Sequence, residues 1–223
     1  MQGLSCGDAF GERFFLHPEV ARRLIAQRAV PSPPWHYTDD TVMAVAVAET
    51  LEEFGEIREE SLAKSFGRHY VADPQRGYGP AMHGLLPELA RSPASWKQKA
   101  QALFNGGGSF GNGAAMRVAP LGSYFADDLA TLTTQATLSA VITHSHHEGV
   151  VGAIAVALAA GLACRHKNSP IAPLDFLQEI CDRIPTSEVR LGIIQALSLP
   201  SDASVDAAVA ALGNGFKVSA QDT

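Results

Sequence analysis

Apolar residues recur every three to four positions through most of the chain, and one-by-one alternation of apolar and polar residues is scarce. This spacing predicts helices over 18–30, 40–54, 59–71, 95–104, 127–142, 148–166 and 173–184. The segments beginning near 40 and 148 are apolar on every face, as expected of central helices surrounded by others. Turn-forming residues collect in "VPSPPWHY", "ADPQRGYGP" and "FNGGGSFGNG". The pattern predicts an all-α, orthogonal multi-helix assembly forming a single domain over 1–223, without internal repeats or a low-complexity tail.

Composition narrows the class. A chain of 223 residues that is 46% hydrophobic and 18% charged can remove roughly 70% of its unfolded surface from water. A net charge of −6 without a basic cluster argues against a nucleic-acid partner, which would require many phosphates to be neutralised. Cys6, Cys164 and Cys181 are odd in number, widely spaced and form no C-x-x-C, which points to a reducing, cytoplasmic setting. The start, "MQGLSCGDAFGERFF", has neither a basic n-region nor a long apolar stretch, so no signal peptide is expected. The apolar run 149–164 falls short of the roughly 18 residues a bilayer requires, and a buried helix is expected there rather than a membrane contact.

Three stretches carry candidate chemistry. In "WHYTDDTVMAVAVAETL", residues 35–51, the Thr38 hydroxyl can cap the helix, with Asp39 and Asp40 in the favourable first turn. Capping explains one acid better than two, because like charges about 4 Å apart repel by on the order of 4 kcal/mol at an effective dielectric near 20. A cation between them would remove the conflict, and carboxylates interleaved with hydroxyls suit Mg²⁺, Mn²⁺ or Ca²⁺. Both readings stand on spacing alone.

In "FNGGGSFGNGAAMR", residues 104–117, glycines permit a loop whose amides turn inward on a phosphate. Residues 106–111 match G-x-G-x-x-G, yet the preceding segment is helical rather than a strand, which excludes the dinucleotide fold. Phe104 and Phe110 could stack on a flat base. In "ITHSHHEGVVG", residues 142–152, His144, His146 and His147 raise a zinc hypothesis without the H-E-x-x-H spacing. The alternative is a capping box of Ser145 and Glu148, with His144 just ahead of the helix and able to donate to a phosphate.

Together "GDAFG" (7–11), "YTDDTVMA" (37–44), "DPQRGYG" (73–79), "FNGGGSFGNGAAMRVAPLG" (104–122), "THSHHEGVVGA" (143–153) and "LGNGFKV" (212–218) resemble, in order, the motifs of the ADP-ribosylglycohydrolases. The resemblance implies an all-helical fold of which this chain matches the N-terminal two-thirds. It implies an enzyme that uses two Mg²⁺ or Mn²⁺ ions to release ADP-ribose from a protein side chain or an O-acyl group. It further implies that Thr38, Asp39 and Asp40 bind metal, Gly108, Ser109, Gly111 and Asn112 hold the pyrophosphate and distal ribose, and Phe104 and Phe110 flank the adenine. His144 would reach a phosphate, Phe216 would close the adenosine side, and Glu12 is the candidate for the family's N-terminal glutamate.

Members of that family continue beyond the point matching Thr223 into a second D-x-D-T motif that completes the metal pair. Asp222 and Thr223 resemble a remnant of the helix after "LGNG", and no second D-x-D-T occurs in 41–223. Three functional readings follow: a metal-dependent hydrolase, weak or inactive as this chain alone; a catalytically impaired remnant that binds ADP-ribose or a protein partner; and a zinc hydrolase built on the three histidines.

Overall fold

The two segments that are apolar all round lie at the centre of the fold. In the computed structural model, which describes Met1–Thr223, twelve α-helices follow one another: α1 (Gln2–Gly11), α2 (Pro18–Ala26), α3 (Asp39–Phe54), α4 (Glu59–Ala72), α5 (Met82–Arg91), α6 (Trp96–Ala102), α7 (Ala119–Tyr124), α8 (Leu129–Val141), α9 (His147–Arg165), α10 (Pro173–Arg183), α11 (Glu188–Leu197) and α12 (Val205–Leu212). There is no β-sheet, only one isolated bridge between Gly111 and Ser219. The all-α class expected from the apolar spacing is what the chain adopts.

The helix α9 packs on α7, α8, α10 and α11, and α3 on α4 and α7. Small residues let these helices approach closely. A Cβ at Gly122 of α7 would lie 2.5 Å from the Ala157 carbonyl of α9, and one at Gly67 of α4 would collide with the backbone nitrogen of Ala90 in α5. Leu158 and Leu162 of α9, Leu132 of α8 and Val47 of α3 are all fully buried. Burial of each such side chain stabilises the fold by roughly 1.5–3 kcal/mol. With 19 residues, α9 is by length and composition long enough to cross a membrane, and 56% of its apolar window is buried within the protein.

Several boundaries depart from the periodicity. The helix expected over 18–30 ends at Ala26, because none of its residues is buried and Arg28 enters the left-handed region at φ 49°. The helix expected over 95–104 stops at Ala102, since Phe104 and Asn105 are left-handed. The segment Met82–Arg91 forms α5 in spite of Gly84 and Pro87, because Leu85, Leu86 and Leu89 face the core. Asp222 and Thr223 are not helical but close a turn after α12.

Candidate functional site

The start of α3 is fixed by three separate parts of the chain. Thr38 caps it, its hydroxyl accepting from the Asp40 amide at 3.3 Å. Asp8 of α1 reaches across and accepts from the Thr38 amide at 2.8 Å and hydroxyl at 2.7 Å. It also accepts from the Thr41 amide at 3.2 Å and hydroxyl at 2.5 Å. The loop 73–79 adds its Arg76 carbonyl, which accepts from the Asp39 amide at 2.7 Å. The expected Thr38 cap is therefore present, and the sequence reading missed the second cap, Asp8. Its one signal was an acid within the glycine-rich "GDAFG".

With Asp8 engaged in capping, Asp39 and Asp40 turn toward a cavity of about 700 Å³ that Glu12 also lines. Burial, the neighbouring Asp40 charge and Asp8 push the Asp39 carboxyl up to about 7, against the helix dipole. Burial, Asp8 and Glu12 push Asp40 up to about 6. Neither carboxylate forms an ion pair. Two crowded acids opening into a cavity are chemically suited to one hard divalent cation. No group of three or more His, Cys, Asp or Glu side chains converges to chelate an ion by itself.

The glycine loop lines the same cavity through Phe104, Ser109, Phe110, Gly111 and Asn112. The two phenylalanine rings are 6.4 Å apart and tilted by 37°, a half-open pair rather than a stacked one. Several amides of the loop are committed internally: Gly107 donates to Phe104, Gly108 to Leu103 and Asn112 to Val218. Gly108 lies outside the cavity lining, where a Cβ would fall 2.7 Å from the His146 nitrogen. There it packs closely against the start of α9.

Behind the loop stands His144, buried and bonded through Nδ1 to the Thr143 hydroxyl at 2.7 Å. Desolvation and the nearby Arg117 push it down to about 3, so it is neutral at ordinary pH. Arg117 is itself fully buried, its guanidinium 4.3 Å over the Phe66 ring and Nη2 donating to the Ser139 carbonyl at 2.7 Å. Its Nε and Nη1 and the Tyr78 hydroxyl have no partner. Both residues border the cavity, and the sequence reading singled out neither.

The other two histidines do not join His144. The His146 Nδ1 accepts from the Glu148 amide at 3.1 Å and so caps α9, and His147 bonds the Thr186 carbonyl. The capping box expected of Ser145 and Glu148 does not form. Ser145 donates to the Ala100 carbonyl, and Glu148 accepts from the amides of Glu188 and Val189 at 3.1 and 3.2 Å, capping α11 across space. With each histidine engaged separately, the zinc reading fails.

The turn after α12 closes the cavity differently from expectation. Phe216 is 87% exposed and does not line it; Lys217 and Val218 do. Asp222 folds the turn back by accepting from the Lys217 amide at 2.9 Å. Ala220 then donates to the Phe110 carbonyl at 3.1 Å, which seats the turn on the glycine loop.

The sequence that builds this helical fold and this cavity has known relatives. It belongs to the ADP-ribosylglycohydrolase family, whose sequence model matches residues 1–222. It is similar to the ADP-ribosylhydrolase ARH3 of Gallus gallus, with 41% identity over 162 residues, 72% of this chain and 44% of that protein. Against the Homo sapiens ARH3 the identity is 33% over 182 residues, 76% and 50% of the two chains. An uncharacterized protein of Archaeoglobus fulgidus matches at 30% over 225 residues, 96% and 70%. The chain spans about half the length of the ARH3 relatives.

Proposed function

We propose that the protein hydrolyses the bond joining ADP-ribose to a protein side chain or an acyl group. One observation carries this reading: a single cavity is lined both by crowded acids on α1 and α3 and by a glycine loop with two aromatic rings and a neutral histidine. Phe104 and Phe110 would flank the adenine, while Ser109, Gly111 and Asn112 would contact the pyrophosphate and distal ribose. A neutral His144 can donate one hydrogen bond without carrying charge into the cavity.

Thr38, Asp39 and Asp40 would hold Mg²⁺ or Mn²⁺, which when bound supplies Lewis-acid activation of the ribose or of water. Asp8 keeps those two carboxylates aimed outward by holding the start of α3. Glu12, at the same wall, would accept a proton from an attacking water. Electrostatic attraction between these acids and the positive charge that develops on the ribose ring adds to the acceleration.

The test is release of free ADP-ribose from ADP-ribosylated protein, with Mg²⁺ and with chelator. The expected result is metal-dependent release, slow for this chain alone, that is lost in Asp39→Asn with Asp40→Asn. Binding of ADP-ribose with no release under any metal condition would refute the hydrolase reading and favour a recognition module.

A further inference from the structure

The cavity holds four carboxylates, Asp8, Glu12, Asp39 and Asp40, and two permanent cations, Arg117 and Lys217. A ligand that carries a diphosphate must find compensating charge there. The amides of Gly107, Gly108 and Asn112 are bonded to protein carbonyls, which leaves those of Ser109 and Phe110 as the loop's free donors; amides carry only partial charge. Arg117 is fully buried over Phe66 with its Nε and Nη1 unpartnered, so its charge acts from beneath the cavity. Lys217 remains, exposed and on the rim.

Its position is built rather than incidental. The turn is locked by the Gly215 amide donating to the Asp222 carbonyl at 2.8 Å and the Lys217 amide donating to the Asp222 carboxylate at 2.9 Å. Gly213, at φ +123°, leaves no room for a Cβ beside that carboxylate. Val218 adopts φ 52°, a left-handed conformation costly for a β-branched residue and retained only where the surroundings enforce it. That conformation presents the Val218 carbonyl to the Asn112 amide. Lys217 is thereby held one residue from the glycine loop.

We propose that Lys217 is the cationic contact for the diphosphate of the ligand and sets the preference of the cavity for diphosphate-bearing ligands over the bare nucleoside. The proposal deepens the reading of the cavity as an ADP-ribose site and rests on it. A Lys ammonium binds phosphate as a mobile point charge, so the effect should be electrostatic and sensitive to salt.

The experiment is titration calorimetry of the full chain with ADP-ribose and, separately, with adenosine. Lys217→Ala should weaken ADP-ribose about five- to tenfold, the range of one partly exposed charge-assisted bond, and leave adenosine unchanged. Lys217→Glu should weaken ADP-ribose further, Lys217→Arg should restore most of the affinity, and raising the salt should narrow the gap between wild type and Lys217→Ala. Equal unfolding midpoints by circular dichroism establish that the exposed substitution leaves the fold intact. Unchanged ADP-ribose affinity in Lys217→Ala, or equal losses for ADP-ribose and adenosine, would overturn the proposal while leaving the cavity assignment standing. A wild-type chain that binds neither ligand would instead overturn the cavity assignment, and the role of Lys217 with it.

Discussion

Replacing Asp39 by Asn should stabilise the metal-free protein, increasingly so as the pH rises. The native carboxyl is raised from an ordinary 3.8 to about 7, chiefly by burial and then by Asp40. Between those two values the native state binds more protons than the unfolded chain, so stability is lost as pH rises through the window. A shift of about three units corresponds to on the order of 4 kcal/mol. Because the carboxylate faces cavity water, solvent screening reduces this to roughly 2 kcal/mol. Asn has nearly the same shape and no charge, so Asp39→Asn should match wild type near pH 4 and exceed it by that amount at pH 8. For a chain of this size the difference is a rise in Tm of about 4–8 °C. His144 acts in the opposite sense, since a group pushed down to about 3 loses stability as pH falls below its ordinary 6.5. It is present in both proteins and cancels in the difference. The assay is thermal unfolding followed by circular dichroism from pH 4.5 to 8 in EDTA. A difference that stays constant with pH, or a wild type more stable than the variant at pH 8 without divalent ions, would refute the electrostatic reasoning.

Adding Mg²⁺ or Mn²⁺ should reverse that order, stabilising wild type by about 2.7 kcal/mol at a hundredfold excess over Kd. The double change Asp39→Asn with Asp40→Asn should lose the metal-induced rise in Tm. Glu148→Gln removes the charge from the two bonds that cap α11 and should cost about 1–2 kcal/mol in urea unfolding. Gly113→Ala places a Cβ 2.8 Å from His144 Cε1; it should lower stability by about 1–3 kcal/mol and weaken ADP-ribose binding in calorimetry. Leu158→Ala, in the middle of α9 and fully buried, should cost about 2–5 kcal/mol.

The all-helical class was legible because α3 and α9 are long and their apolar residues repeat at the helical period. Helices with weak or interrupted patterns escaped notice: α5 contains Pro87, and α12 is eight residues long. The Ser187 and Ser204 caps were the local signals for α11 and α12. Asp39, Asp40 and the glycine loop could be read because unusual residues cluster there in sequence. Asp8 and the turn carrying Lys217 could not, since each meets a segment far along the chain: Asp8 bonds Thr38 and Thr41, and Val218 and Ala220 bond Asn112 and Phe110. Glu148 shows the same limit, for its spacing from Ser145 fits a local cap while its carboxylate caps a helix forty residues away. Spacing reports neighbours along one helix and is silent on partners brought together by folding.

One wall of the cavity is α1, which buries only Ala9 and is joined to the start of α3 through the four hydrogen bonds of Asp8. Releasing this wall therefore exposes little apolar surface and breaks bonds that water can replace, so the helix belongs to the low-stability end of the molecule. The amide protons of α1 should exchange with solvent by local opening, while those of α9, enclosed by four helices, should exchange only on global unfolding. A bound ligand that bridges α1 and α3 would slow exchange in α1 without altering it in α9.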